Sequence, residues 1–106
     1  MLTLGIDTSN YATSLAVFDT DAGEVVCDAK KFLPVRPGQL GLRQSDAVFH
    51  HTAALPAMLE ELSEKVDLTA IGAVGVSAHP RPVEKSYMPC FLVGKMVAEA
   101  LAGVNQ

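Results

Sequence analysis

The 106-residue sequence predicts an α/β half-domain: an antiparallel three-strand meander followed by a helix, a strand and a second helix. Three observations predict it. Two short apolar runs, Leu2 to Asp7 and Ser14 to Phe18, flank a polar turn at Thr8, Ser9 and Asn10, which is the pattern of a hairpin. Residues 45–65 repeat apolar side chains at three- and four-residue steps, the helical period. Ile71 to Ser77 is an apolar run of strand length without polar alternation, and another helical segment follows it.

The third strand is expected from Glu24 to Leu33, after the turn cluster Asp19 to Gly23. Two prolines and a glycine between Pro34 and Gly38 end the meander, because they cannot continue a ladder. The first helix is expected from Ser45 to Lys65. Ser45 is the predicted N-cap, and Asp46 stands in the first turn, where negative charge suits the helix dipole. Its predicted buried stripe is Val48, Thr52, Leu55, Leu59, Leu62 and Val66, with a kink at Pro56. The run Ile71 to Ser77 is expected to be a central strand covered on both faces. Pro89 is expected to open the second helix and Gly103 to cap it after Ala102. Gly94 and Ala98 in that helix would allow close packing on the sheet. No strand is visible beyond the last helix to pair with the covered one, so residues 1–106 are expected to form one incomplete lobe, most of a half-domain, of a longer protein.

Composition narrows the class. With 49% hydrophobic and 19% charged residues the chain is globular rather than disordered. A net charge of −4 argues against a broad nucleic-acid footprint formed by this chain alone. Two cysteines, Cys27 and Cys90, make neither a disulfide framework nor a metal-type spacing and suit a reducing compartment. No basic-then-apolar leader and no membrane-length apolar run are seen, so a cytoplasmic protein without a membrane partner is expected.

The chemistry concentrates in the first turn. Hydroxyls and backbone N–H groups in a tight turn can cradle phosphate oxygens, and a neighbouring carboxylate can hold a hydrated magnesium ion. Asp7, Thr8, Ser9 and Asn10 are therefore the candidate nucleotide- or phosphate-binding residues; the alternative is an ordinary polar turn. His50 and His51 are adjacent on the first helix, with side chains about 100° apart, and so do not share one metal; one is expected at the surface and the other packed. Cys90 near a helix start is either a thiol of lowered pKa or a buried structural residue. No nucleophile stands beside a histidine in a catalytic motif, and no residue is assigned a catalytic or metal-binding role.

The N-terminal Leu-Gly-Ile-Asp-Thr-Ser segment (residues 4–9) resembles the first hairpin of the actin-like ATPase (ribonuclease H-like) fold. Within that fold, His51 to Leu59, Ala70 to Ser77 and Leu92 to Ala102 resemble the amino-terminal third of the glycoprotease family. Its members were once called O-sialoglycoprotein endopeptidases and include the tRNA threonylcarbamoyladenosine synthases. Gly41 to Ser45 and Pro80 to Pro89 resemble a bacterial paralogous branch. The resemblance implies, for a full-length parent, transfer of a threonylcarbamoyl group to a tRNA adenosine, a divalent metal (zinc or iron) and a nucleotide. It places the metal's histidine pair just beyond Gln106, so this chain alone would be inactive, with no cofactor of its own. Where catalytic members carry a glycine-rich loop, this sequence has His79 to Met88 with two prolines. Prolines remove backbone donors, so Arg81, Lys85, Ser86 and Tyr87 are the candidate substrate-loop side chains.

Three functional expectations follow from the resemblance. One is an inactive amino-terminal piece of a transferase that meets tRNA only through its full-length parent. Another is a non-catalytic paralog that forms a heterodimer with a true synthase. The third is a sugar-kinase-like ATPase lobe. Exposed edges further predict self-association of the chain.

Overall fold

A computed structural model describes residues 1–9, 11–34, 43–77 and 89–105. Four strands form one sheet: β1 (Leu2–Thr8), β2 (Ala12–Asp19), β3 (Glu24–Phe32) and β4 (Ile71–Val76), in spatial order β3-β2-β1-β4. The helices are α1 (Gln44–Ser63) and α2 (Cys90–Val104). β1, β2 and β3 pair antiparallel as the predicted meander, and β4 pairs parallel to β1. The turn between β2 and β3 closes with Gly23 at φ 69°, a left-handed conformation that favours glycine. Its N–H donates to the Asp19 carbonyl at 2.8 Å.

Period-two alternation divides the sheet into two faces. Leu4, Ile6 and Thr8 of β1, with Thr13, Leu15 and Val17 of β2, are buried and form the face toward the helices. The core joins Leu4, Ile6, Leu15 and Val17 to Leu55, Met58 and Leu62 of α1 and to Val93 and Ala98 of α2. Gly94 is where α2 meets the sheet most closely: a Cβ there would stand 2.8 Å from Thr8 Oγ1 and 3.3 Å from Ile6 Cγ2. The close packing expected at Gly94 and Ala98 is thus present.

Several expectations need correction. Ser45 lies inside α1, and the N-cap is Arg43, whose side chain makes no capping bond. The buried face of α1 is Ala47, His51, Ala54, Leu55, Met58 and Leu62. Thr52 is exposed and folds its hydroxyl back onto the Val48 carbonyl at 2.7 Å. The face is rotated from the expected stripe because small alanines and one histidine occupy the positions nearest the sheet. α1 continues past the exposed Pro56 to Ser63. β4 stands at one edge of the four described strands, as expected where its partner strand is lacking, and is not covered on both faces here, with Gly72, Ala73 and Gly75 exposed. Gly103 is helical, and α2 ends one residue later, where the Asn105 N–H donates to the Leu101 carbonyl at 3.0 Å.

Candidate functional site

The turn between β1 and β2 sits where the sheet meets the first turns of both helices. Alternation along β1 sends its last two side chains to opposite faces. Thr8 points toward the helices and is fully buried, while Asp7 points to the open face of the sheet. The Thr8 hydroxyl donates to the Cys90 carbonyl at 2.8 Å and accepts from the Gly94 N–H at 3.1 Å. Those two backbone groups are the acceptor and donor of one i→i−4 helical bond, so the hydroxyl is wedged into the first turn of α2.

His51 makes the corresponding link to α1. It is fully buried, and its Nε2 lies 2.7 Å from the Ser9 carbonyl oxygen. A carbonyl only accepts, so Nε2 carries the proton. Nδ1, 2.7 Å from Thr13 Oγ1, then accepts from the threonine hydroxyl. Burial pushes the His51 pKa below the usual imidazole value, against the opposing effects of the Ser9 carbonyl and Asp7. Ser9 itself is half-buried, and its hydroxyl oxygen is 3.4 Å from the Tyr11 amide nitrogen.

On the open face, strand register lines polar residues in a row. Asp7 is opposite Ser14, Ser14 is opposite Lys30, and the Ser77 hydroxyl donates to Asp7 Oδ1 at 2.5 Å. The next row toward the far end is Asp28, Ala16, Gly5 and Gly75. Together these residues line a shallow depression of about 620 Å³ whose floor is kept low by the small side chains. That volume falls within the range of small-molecule sites, although the depression is open to solvent. Asp7 supplies a carboxylate with one oxygen still able to meet a hydrated cation, and Lys30 supplies a positive charge two strands away.

Asp7, Thr8 and Ser9 thus stand together at one sheet end, but on different faces. Asn10, Arg81, Lys85, Ser86 and Tyr87 lie outside the described residues. His50 is half-buried with its ring edge-on to Phe49, and His51 has both nitrogens bonded within the protein. This pair does not fit a metal, and among the described residues no three histidine, cysteine or carboxylate side chains gather to hold one. Cys90 is the buried structural thiol: burial pushes its pKa up, and its amide donates to Gln44 Oε1 at 3.1 Å. His51 as a link to the turn was not read from sequence, although its position one turn after Ala47 and one before Leu55 carried the signal.

No family model matches the chain. Over 96% of its length it is 29% identical to a tRNA N6-adenosine threonylcarbamoyltransferase of Archaeoglobus fulgidus and 31% identical to one of Pyrobaculum neutrophilum. It spans 29% of the length of each. Among solved structures, YeaZ from Pseudomonas aeruginosa superposes with a TM-score of 0.69 at 21% identity, covering 99% of this chain and 40% of YeaZ. An uncharacterized protein similar to peptidase YeaZ from the same organism gives a TM-score of 0.66 over 99% of this chain and 39% of its own, also at 21% identity. The resemblance that the sequence motifs carry is therefore matched by the two sequence relatives, and the α/β actin-like ATPase fold by the solved structures.

Proposed function

We propose that this chain is the amino-terminal part of a glycoprotease-family protein that transfers a threonylcarbamoyl group to a tRNA adenosine. In this reading the β1–β2 turn and the depression beside Asp7 form one wall of its nucleotide site. The observation that carries the reading is the similarity to two tRNA N6-adenosine threonylcarbamoyltransferases over 96% of the chain. Asp7 faces the ligand side, Ser77 orients its carboxylate, and Lys30 offsets phosphate charge. A divalent metal, zinc or iron, would need ligands other than the two histidines of α1, which do not fit one.

The test is threonylcarbamoyl transfer to tRNA by the full-length parent, with an authentic synthase as control. Turnover lost on chelation supports a metal-dependent transferase. Replacing Asp7 by Asn keeps the acceptor for Ser77 but removes the charge, and is expected to weaken Mg-nucleotide binding roughly tenfold.

A second reading, a non-catalytic paralog that pairs with a true synthase, is favoured by one feature of α2. Leu92, Met96 and Val104 are exposed on that helix, an apolar stripe of the kind that docks another helix. The replacement of the family's glycine-rich loop by His79 to Met88 points the same way. Complex formation with a synthase, without turnover by the parent itself, would select this reading. A sugar-kinase-like lobe would instead show Mg-ATP-dependent phosphorylation of a small substrate.

A further inference from the structure

We infer that His51 is the positioning residue of the β1–β2 turn, holding the nucleotide-side segment in place by a two-sided hydrogen-bond strut from α1. The inference deepens the nucleotide reading above and rests on it for the turn's purpose, but not for its geometry. The imidazole touches both ends of the turn: Nε2–H holds the Ser9 carbonyl, and Nδ1 takes the Thr13 hydroxyl, each at 2.7 Å. Thr13 pairs with Thr8, the last residue of β1, so the ring spans the point where the hairpin closes. The ring is fully inaccessible to solvent.

A purely space-filling role would be met by a leucine or phenylalanine. Either would leave the fully buried Thr13 hydroxyl and the part-buried Ser9 carbonyl without these partners, which is costly above all for the buried hydroxyl. Both polar groups are satisfied by a side chain that presents a donor and an acceptor about 2 Å apart, as the neutral imidazole does. Satisfied buried networks of this kind fix one arrangement of the segments they join. Here the joined segments are α1 and the two ends of the turn, where the Ser9 hydroxyl's own contacts are long, 3.4 Å to the Tyr11 amide nitrogen and 3.5 Å to the Ala12 carbonyl oxygen.

The experiment uses the 106-residue chain labelled with ¹⁵N. Long-range ¹H–¹⁵N correlation at neutral pH is expected to show His51 as the neutral Nε2–H tautomer; an Nδ1–H or charged ring overturns the inference. Amide hydrogen exchange is then compared in wild type, His51→Phe, His51→Gln and Thr13→Val. His51→Phe is expected to speed exchange of residues 11–13 roughly tenfold, with Leu15 and Val17 changed by less than about twofold. A merely structural histidine would raise all of these amides by one common factor, and that outcome also overturns the inference. His51→Gln, which keeps a donor toward Ser9, is expected to restore most of the protection. Should His51→Phe fail to fold, Thr13→Val supplies the comparison, with faster exchange confined to the turn. Titration with Mg-ATP separates the two ideas. A full-length parent that gives no response to Mg-ATP, beside a 106-residue chain that shows the exchange pattern, supports the strut and overturns the nucleotide reading alone.

Discussion

At the residue scale, the contact between Gly94 and Thr8 sets a sharp steric limit. Alanine at 94 would bring a methyl group within 2.8 Å of a hydroxyl that itself bridges two groups of α2. The helix cannot retreat without unpacking Val93 and Ala98, so Gly94→Ala is expected to destabilise by about 1–3 kcal/mol despite alanine's better helix propensity. Gly103→Ala is the control. Nothing lies within 4 Å of the place its methyl group would take and the residue is helical, so a neutral effect or a gain of up to about 1 kcal/mol is expected. Urea unfolding of the two variants checks the pair.

His51 gives a pH dependence whose sign follows from its burial. Its pKa in the folded chain lies below the ordinary imidazole value of 6.5, so the unfolded chain binds a proton first as pH falls. The stability that the neutral ring contributes is therefore complete above pH 6.5 and is lost as the pH falls from there to the lowered folded value. Asp7 on β1 opposes the shift and His50 on α1 adds to it; Thr13 on β2 is neutral. His51→Gln is expected to flatten this part of the stability profile, measured by denaturant unfolding between pH 7.5 and 5, roughly the window in which histidine titrates.

At the element scale, hydroxyl groups rather than apolar contacts decide how the hairpin end meets each helix. Thr8→Val keeps the shape and removes the bridge between the Cys90 carbonyl and the Gly94 N–H. The two backbone groups can bond one another if the first turn of α2 tightens, so the expected loss is about 1–2 kcal/mol, with faster amide exchange in that turn. The meander was legible in the sequence because turn residues bracket each run, and α1 because its apolar period persists along the whole helix. The buried face of α1 was not legible, since Ala47, His51 and Ala54 rank below Val48 and Leu59 in hydrophobicity but stand closer to the sheet. The same period-two rule that defines β1 separates Asp7 from Thr8. The turn read as one phosphate cradle is thus, on the helix side, a set of structural clamps. β4 was legible as a strand from its unbroken apolar run, and its exposed Gly72, Ala73 and Gly75 leave one side open among the described residues.

At the scale of the whole molecule, both helices pack on one face of the sheet and, among the described residues, the opposite face carries none. That face presents Phe18 and Phe32, and the edge strand β3 adds exposed Val25 and Val26. β4 presents an edge on the other side, and α2 exposes Leu92 and Met96. Such surfaces associate unless another chain segment or partner covers them. Self-association of the isolated 106-residue chain is therefore expected to rise with concentration, measured by size-exclusion chromatography with light scattering. Met96→Lys, an exposed position where the added charge costs the fold little, is expected to shift the equilibrium toward monomer if the α2 stripe is the contact. An unchanged equilibrium in that variant, with monomer recovered instead by Val26→Lys, would place the contact on the open sheet and its β3 edge. A clean monomer at high concentration would remove self-association altogether and leave the α2 stripe to a heterologous partner, the arrangement that the paralog reading requires.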